Sequence, residues 1–193
     1  MNNNNYSKLD FFDFYGHMNW TLVSIGQNSE GKRFYPQWKN SKNQYKKIQA
    51  LIDDNPYSTM IGIPTEPNNL LVIDCDTDEN GNEAGIENFK DIVVKENGGQ
   101  LPDTLVVRSK SGGLHFYFSV DYSDNENCFI SSANELGAHI DVRAKGGLII
   151  GPWSKSKEGG SYDICYYPKD FIIPKLRVMM RYKRPDAAHL RFK

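Results

Sequence analysis

Two carboxylates stand one residue apart at the end of an apolar run in "LLVIDCDTDENGNEAGIENF", residues 70–89. If Leu70–Ile73 is a strand, Asp74 and Asp76 point to the same side, roughly 6.5–7 Å apart along the chain. Hard oxygen donors so placed suit a phosphoryl-transfer centre, in which two divalent ions about 4 Å apart clamp the attacking and leaving oxygens. The same stretch also fits a second chemistry. Counted from Asp76, the residues Asp76, Asp78, Asn80, Gly81 and Glu87 have the ligand spacing of a calcium loop. A helix–loop–helix calcium site is entered from a helix, however. The entering residues here are apolar and β-branched, with Pro67 upstream, which is the pattern of a strand. Calcium also leaves Asp74 without a role. The plain alternative to both is a solvated acidic turn.

Two later stretches bear on that choice. In "RSKSGGLHFYFSV" (108–120), Leu114, Phe116 and Phe118 alternate with His115 and Tyr117. One face reads as core, and the other presents His115 just after a Ser111-Gly112-Gly113 turn. Paired glycines let backbone N–H groups approach an anion, and Lys110 and Ser111 add donors. Alone, this stretch reads equally as a hairpin turn with one polar-facing histidine. In "HIDVRAKGGLIIGPWS" (139–154), Ile140 and Val142 alternate with His139, Asp141 and Arg143. Alone, Asp141 and Arg143 read as an ion pair. Beside two further carboxylates, Asp141 becomes a third metal ligand and Arg143 a phosphate contact. A nuclease that pairs Pro-Asp with a later acid-x-Lys is excluded. Pro102-Asp103 is present, but Arg108 stands where the acid before Lys110 belongs.

These residues need elements to hold them. Residues 7–18 read as a short helix or aromatic docking segment, and 20–26 as a strand. Residues 31–40, "GKRFYPQWKN", read as a basic and aromatic loop. Tyr45, Ile48, Leu51 and Ile52 have helical spacing over 43–54. "MIGIP" and "LLVIDCD" are continuous apolar runs, as expected of strands covered on both faces. Ile86, Phe89, Ile92 and Val93 share one face of a helix over 83–99, stopped by Asn97-Gly98-Gly99. Strands follow at 104–109, 114–120, 139–144, 147–152 and 162–167. A strand–helix–strand start with a strand-rich second half predicts an α+β fold, not a doubly wound sheet.

The chain has 193 residues, 39% hydrophobic and 12% aromatic, enough for one substantial domain or two small lobes sharing a cleft. The formal net charge of -1 excludes a protein that coats nucleic acid through overall basicity, so any such contact relies on local patches. Cys75, Cys128 and Cys165 show neither zinc-ligand spacing nor a disulfide framework, which points to a reducing, intracellular compartment. No apolar stretch is long enough to span a membrane, and "MNNNNYSK" has no signal-peptide core.

Taken in order, "VIDCD", "SKSGGLHFYF" and "IDVRAKGGLIIGPWS" followed by "GGSYDI" resemble the bifunctional primase–polymerase (prim-pol) family of the archaeo-eukaryotic primase superfamily. "FYPQW" and "MIGIPTEPNNL" resemble its lead-in, so the likeness runs from about Trp20 to Tyr167. The resemblance implies a two-lobed α+β catalytic core with a nucleic-acid-recognition-like sheet. It implies an N-terminal extension over 1–19, the catalytic domain over 20–174, and a basic segment over 175–193 leading toward a further domain. It implies two Mg²⁺ or Mn²⁺ ions on Asp74, Asp76 and Asp141, and His115 on the triphosphate. Lys110, Ser111, Gly112, Gly113, Arg143 and Ser154 would surround the nucleotide. The implied activity is template-dependent nucleotidyl transfer from NTP or dNTP to a primer 3′-hydroxyl on single-stranded DNA, in a viral or plasmid replication protein working with a helicase. The competing readings are a non-catalytic nucleic-acid-binding replication-initiator domain and a calcium-binding module using Asp76, Asp78, Asn80 and Glu87.

Residues 175–193 carry seven Lys or Arg against one Asp. If they contact template phosphates, deleting them flattens the salt dependence of single-stranded DNA binding. Titrations at several salt concentrations measure the slope, and an unchanged slope rules the contact out.

Overall fold

The computed structural model describes residues 10–35, 46–54, 60–97, 101–123, 129–168 and 172–175. Its central strand is β4 (Leu70–Cys75), buried at every position, because its alternate residues face two separate cores. Before it come α1 (Phe11–Met18), β1 (Val23–Gln27), β2 (Arg33–Phe34), α2 (Ile48–Asp54) and β3 (Met60–Pro64). After it come α3 (Ala84–Asn97), β5 (Val106–Arg108), β6 (Leu114–Ser119), β7 (Ser132–Gly137), β8 (Ile140–Arg143), β9 (Leu148–Ile150) and β10 (Asp163–Tyr166). The strands form a four-stranded sheet, β2-β1-β3-β9, and a six-stranded sheet, β10-β5-β6-β4-β8-β7. Every pairing of these strands is antiparallel. The fold is therefore mixed and mostly strand, in keeping with the expected α+β class.

The alternation of side chains on β4 explains the layering. Leu71, Ile73 and Cys75 meet Phe116, Phe118 and Ile140 beneath Ile86, Phe89 and Val93 of α3. Leu70 and Val72 face the other way, toward Tyr117, Ile63, Ile150 and the aromatic residues of α1. The chain passes from the smaller to the larger sheet between β3 and β4, and back between β8 and β9. Buried Thr65 ties the two passages: its amide donates to Gly147 O at 3.1 Å, and its hydroxyl donates to Ala144 O and Gly147 O.

Most expected elements are present, with shorter bounds. The helix expected over 43–54 is described from Ile48, and Tyr45 lies outside the described residues. So do Cys128, Gly98, Gly99 and residues 176–193. Two strands were not expected. β2 falls in the stretch read as a loop and is built by pairing with β1; in β7, "SANELG" is polar and largely exposed, and pairing with β8 builds it without a hydrophobic pattern of its own.

Phe89 is fully buried, its ring 4.9 Å from that of Phe116. Phe89→Ala should cost about 3–5 kcal/mol of stability by opening a cavity under α3. Loss of the Asp10 cap, which accepts the Asp13 amide at 2.9 Å, should cost only about 1 kcal/mol in Asp10→Ala. Denaturant unfolding of both variants checks the ranking.

Candidate functional site

Register brings the chemistry together. On the six-stranded sheet Asp74 lies directly opposite His115 of β6 on one side and Asp141 of β8 on the other. Directly opposed residues project to the same face, so three polar side chains converge where the neighbouring positions are apolar. Val72 is opposite Arg143, which places the guanidinium one step along that face. Asp76 follows the strand and is held by its backbone: its amide donates to His139 O at 2.8 Å and its carbonyl accepts the Gly85 amide at 3.0 Å. Gly85 and Gly113 press against this segment. A Cβ on Gly85 would lie 2.6 Å from Asp76 O, and one on Gly113 2.5 Å from Cys75 O. Neither position has room for a side chain.

Carboxylate oxygens of Asp74, Asp76 and Asp141 all lie within 4.8 Å of one another. Arg143 Nη2 is 2.7 Å from Asp141 Oδ2 and 3.4 Å from Asp74 Oδ2. His115 Nε2 is 3.2 Å from Asp74 Oδ1. His115 is buried on that face. It is only 3% exposed, and the rings of Tyr162 and Tyr117 lie tilted near its own, with centroids 5.8 and 6.5 Å away. Its Nδ1 is buried without a hydrogen-bond partner.

The electrostatics separate the two aspartates of the strand end. Burial pushes the Asp74 carboxyl up, but hydrogen bonding and charge from His115, then from Arg143, outweigh it and leave Asp74 below the usual carboxylate range. For Asp76, burial and the charges of Asp74 and Asp141 dominate, and its carboxyl is raised. The three carboxylates thus stand beside one fixed positive charge, that of Arg143. Clustered hard oxygen donors short of positive charge fit an oxygen-preferring divalent cation.

The turn after β5 lies alongside. Ser109 donates to Gly113 O at 2.8 Å and Gly112 donates to Ser109 O at 3.0 Å, with Gly112 at φ +96°. The Thr77 hydroxyl reaches Ser111 O at 3.4 Å, so the Lys110–Gly113 turn borders the acidic segment. Ser154 is not brought to the carboxylates as a free hydroxyl. It is fully buried, and its Oγ accepts the Ile61 amide at 2.9 Å. The calcium-loop set is not gathered either. The Asp78 carboxylate accepts from the amides of Asn80 and Asn82, at 2.9 and 2.8 Å, and from Asn82 Nδ2 at 2.7 Å. Glu87 is exposed in the first turn of α3. Among the described residues, the acidic group close enough for a shared ion is Asp74, Asp76 and Asp141.

Sequence reasoning missed Tyr162 and Arg33. Arg33 Nη2 donates to Tyr162 OH at 2.7 Å, with the guanidinium carbon 6.0 Å from that ring's centroid. The basic, aromatic composition of residues 31–40 was visible, but its pairing with a residue 129 positions later was not.

The family model described as bifunctional DNA primase/polymerase, N-terminal, matches residues 13–174. No curated protein matches the chain.

The opposite shifts of the two aspartates predict opposite effects on stability in metal-free buffer near neutral pH. Ionised Asp76 opposes folding there, and the cost is relieved as pH falls toward its raised folded pKa. Asp76→Asn should therefore raise the midpoint of thermal unfolding. Asp74 has a depressed folded pKa, so its contribution is present above the unfolded value and lost as pH falls through the folded one. Asp74→Asn should lower the midpoint and cost about 1–3 kcal/mol, since buried His115 and half-buried Arg143 lose a charged partner. Paired thermal melts of the two variants provide the check.

Proposed function

The chain belongs to the family of bifunctional DNA primase/polymerase N-terminal domains, and on that premise we propose that it is a template-directed nucleotidyltransferase. It joins a nucleotide from an NTP or dNTP to a primer 3′-hydroxyl on single-stranded DNA. The observation that carries this reading is the convergence of Asp74, Asp76 and Asp141 on one sheet face, with oxygens within 4.8 Å. The same reading places the protein inside the cell, in a viral or plasmid replication protein that works with a helicase.

Asp74, Asp76 and Asp141 would hold Mg²⁺ or Mn²⁺. When bound, such ions neutralise the triphosphate and leaving pyrophosphate and lower the pKa of the attacking hydroxyl. His115 orients Asp74 through the 3.2 Å contact. Arg143 bridges Asp74 and Asp141, which limits carboxylate repulsion and sets a cation beside the reacting phosphates. The turn from Lys110 to Gly113 supplies backbone donors bordering Asp76. Positioning and charge are most of what phosphoryl transfer requires of a protein.

Primer extension on a single-stranded template with Mn²⁺ or Mg²⁺ tests this reading. Asp74→Asn, Asp76→Asn and Asp141→Asn should each reduce incorporation by about 10²–10³-fold or more. Asp78→Asn and Glu87→Gln should retain most activity. Full activity in Asp74→Asn would refute the assignment. DNA binding without any incorporation by the unmodified chain would favour a non-catalytic replication-initiator domain.

A further inference from the structure

Three turns meet beside the candidate site. The Asn28–Lys32 turn joins β1 to β2 in the smaller sheet, and the Ser109–Gly113 turn joins β5 to β6 in the larger one. The third, Ser156–Gly160, is closed by the Ser156 amide on Gly160 O and the Gly159 amide on Ser156 O, both at 3.0 Å. Its Glu158 lies where they converge. Glu158 Oε2 is 2.6 Å from Lys110 Nζ, and the side chain runs over the Asn28–Lys32 turn. That path requires Gly31, at φ +78°, whose added Cβ would fall 2.2–2.3 Å from the Glu158 Cγ, Cδ and Oε1 atoms. The turn itself is anchored: buried Gln27 donates to Gly31 O at 2.8 Å and to Ser156 Oγ at 3.3 Å, and its Oε1 accepts the Lys157 amide at 2.9 Å.

Two cations act on that carboxylate. Lys110 hydrogen-bonds it, and the charge of Arg33 reaches it as well; together they hold Glu158 below the usual carboxylate range. Arg33 leads back to the acidic cluster through a short chain of contacts. It bonds Tyr162 OH at 2.7 Å, the Tyr162 ring lies 5.8 Å from His115, and His115 touches Asp74 at 3.2 Å. Lys110 lies in the turn that borders the acidic segment, so both cations sit on segments in contact with the surroundings of that cluster.

We propose that Glu158 is a built-in occupant of an anion seat formed by Lys110 and Arg33, and that a phosphate group of the nucleotide substrate takes this seat by displacing the carboxylate. This assignment rests on the nucleotidyltransferase reading for the identity of the substrate. It adds Arg33, from outside the three acidic and glycine-rich motifs, as a phosphate contact. It also makes Glu158 a competitor that sets nucleotide affinity. Lys110 and Glu158 remain solvent-accessible, with side chains 26% and 50% exposed, so the exchange requires only a side-chain rotation.

Inorganic tripolyphosphate in metal-free buffer is the probe, with binding measured by calorimetry at fixed low salt. Glu158→Gln should tighten binding about two- to fivefold, the gain expected from removing one partly exposed ion-pair competitor. Lys110→Met and Arg33→Ala should each weaken it about tenfold. The Glu158→Gln gain should shrink on the Lys110→Met background, leaving only the part that comes from freeing Arg33. Unchanged or weaker binding in Glu158→Gln, or a gain that is undiminished on the Lys110→Met background, overturns the proposal. Primer extension by the unmodified chain is run in parallel. Failure there counts against the nucleotidyltransferase reading alone, since tripolyphosphate binding needs no catalysis.

Discussion

Three carboxylates forced within 4.8 Å of each other form the constraint around which the rest of this structure is arranged. Asp74 cannot turn away, because β4 is paired on both sides and covered on both faces. Asp141 cannot slip, because a one-residue shift of β8 would turn Ile140 out of its core and bury Arg143 among apolar side chains. Asp76 is set by backbone hydrogen bonds to two other segments, not by its own strand. The repulsion among them is therefore held in place by hydrophobic burial elsewhere, chiefly the packing of α3 on Ile73, Phe116 and Phe118.

The donors to these carboxylates are unevenly shared. His115 and Arg143 both reach Asp74, Arg143 and the Asn134 amide reach Asp141, and Asp76 is left with a raised carboxyl pKa. Local destabilisation of this kind is expected where a site is completed by a ligand. Farther along the same face, Tyr162 connects His115 to Arg33, so the smaller sheet contributes a cation to a surface otherwise built by the larger one.

Much of this was legible in the chain. Continuous apolar runs at 60–64 and 70–75 marked doubly covered strands, and strict alternation at 114–118 and 140–143 showed which residues share a face. What alternation cannot state is which strands pair. That Asp74 sits opposite both His115 and Asp141 follows from registers between segments dozens of residues apart. Alternation also cannot say what covers the polar face. The near-enclosure of His115 and its contact with Asp74 therefore carry no signal in the sequence. Ser154 misled for a related reason: a hydroxyl beside a glycine-rich motif resembles a ligand contact, yet here it accepts the Ile61 amide inside the core. Arg33, Glu158 and Tyr162 carried no recognisable spacing, since loop contacts between sheets leave no period.

Direct binding of Mn²⁺, followed by the loss of its free-ion paramagnetic resonance signal, tests the central claim without requiring catalysis. The unmodified chain should bind Mn²⁺. Asp141→Asn should lose that binding as completely as Asp74→Asn or Asp76→Asn, although Asp141 lies far from the other two in sequence. Asp78→Asn and Glu87→Gln should bind as the unmodified chain does. Retained binding in Asp141→Asn, with loss in Asp78→Asn and Glu87→Gln, would contradict a three-carboxylate centre and return the acidic segment to a calcium-type loop.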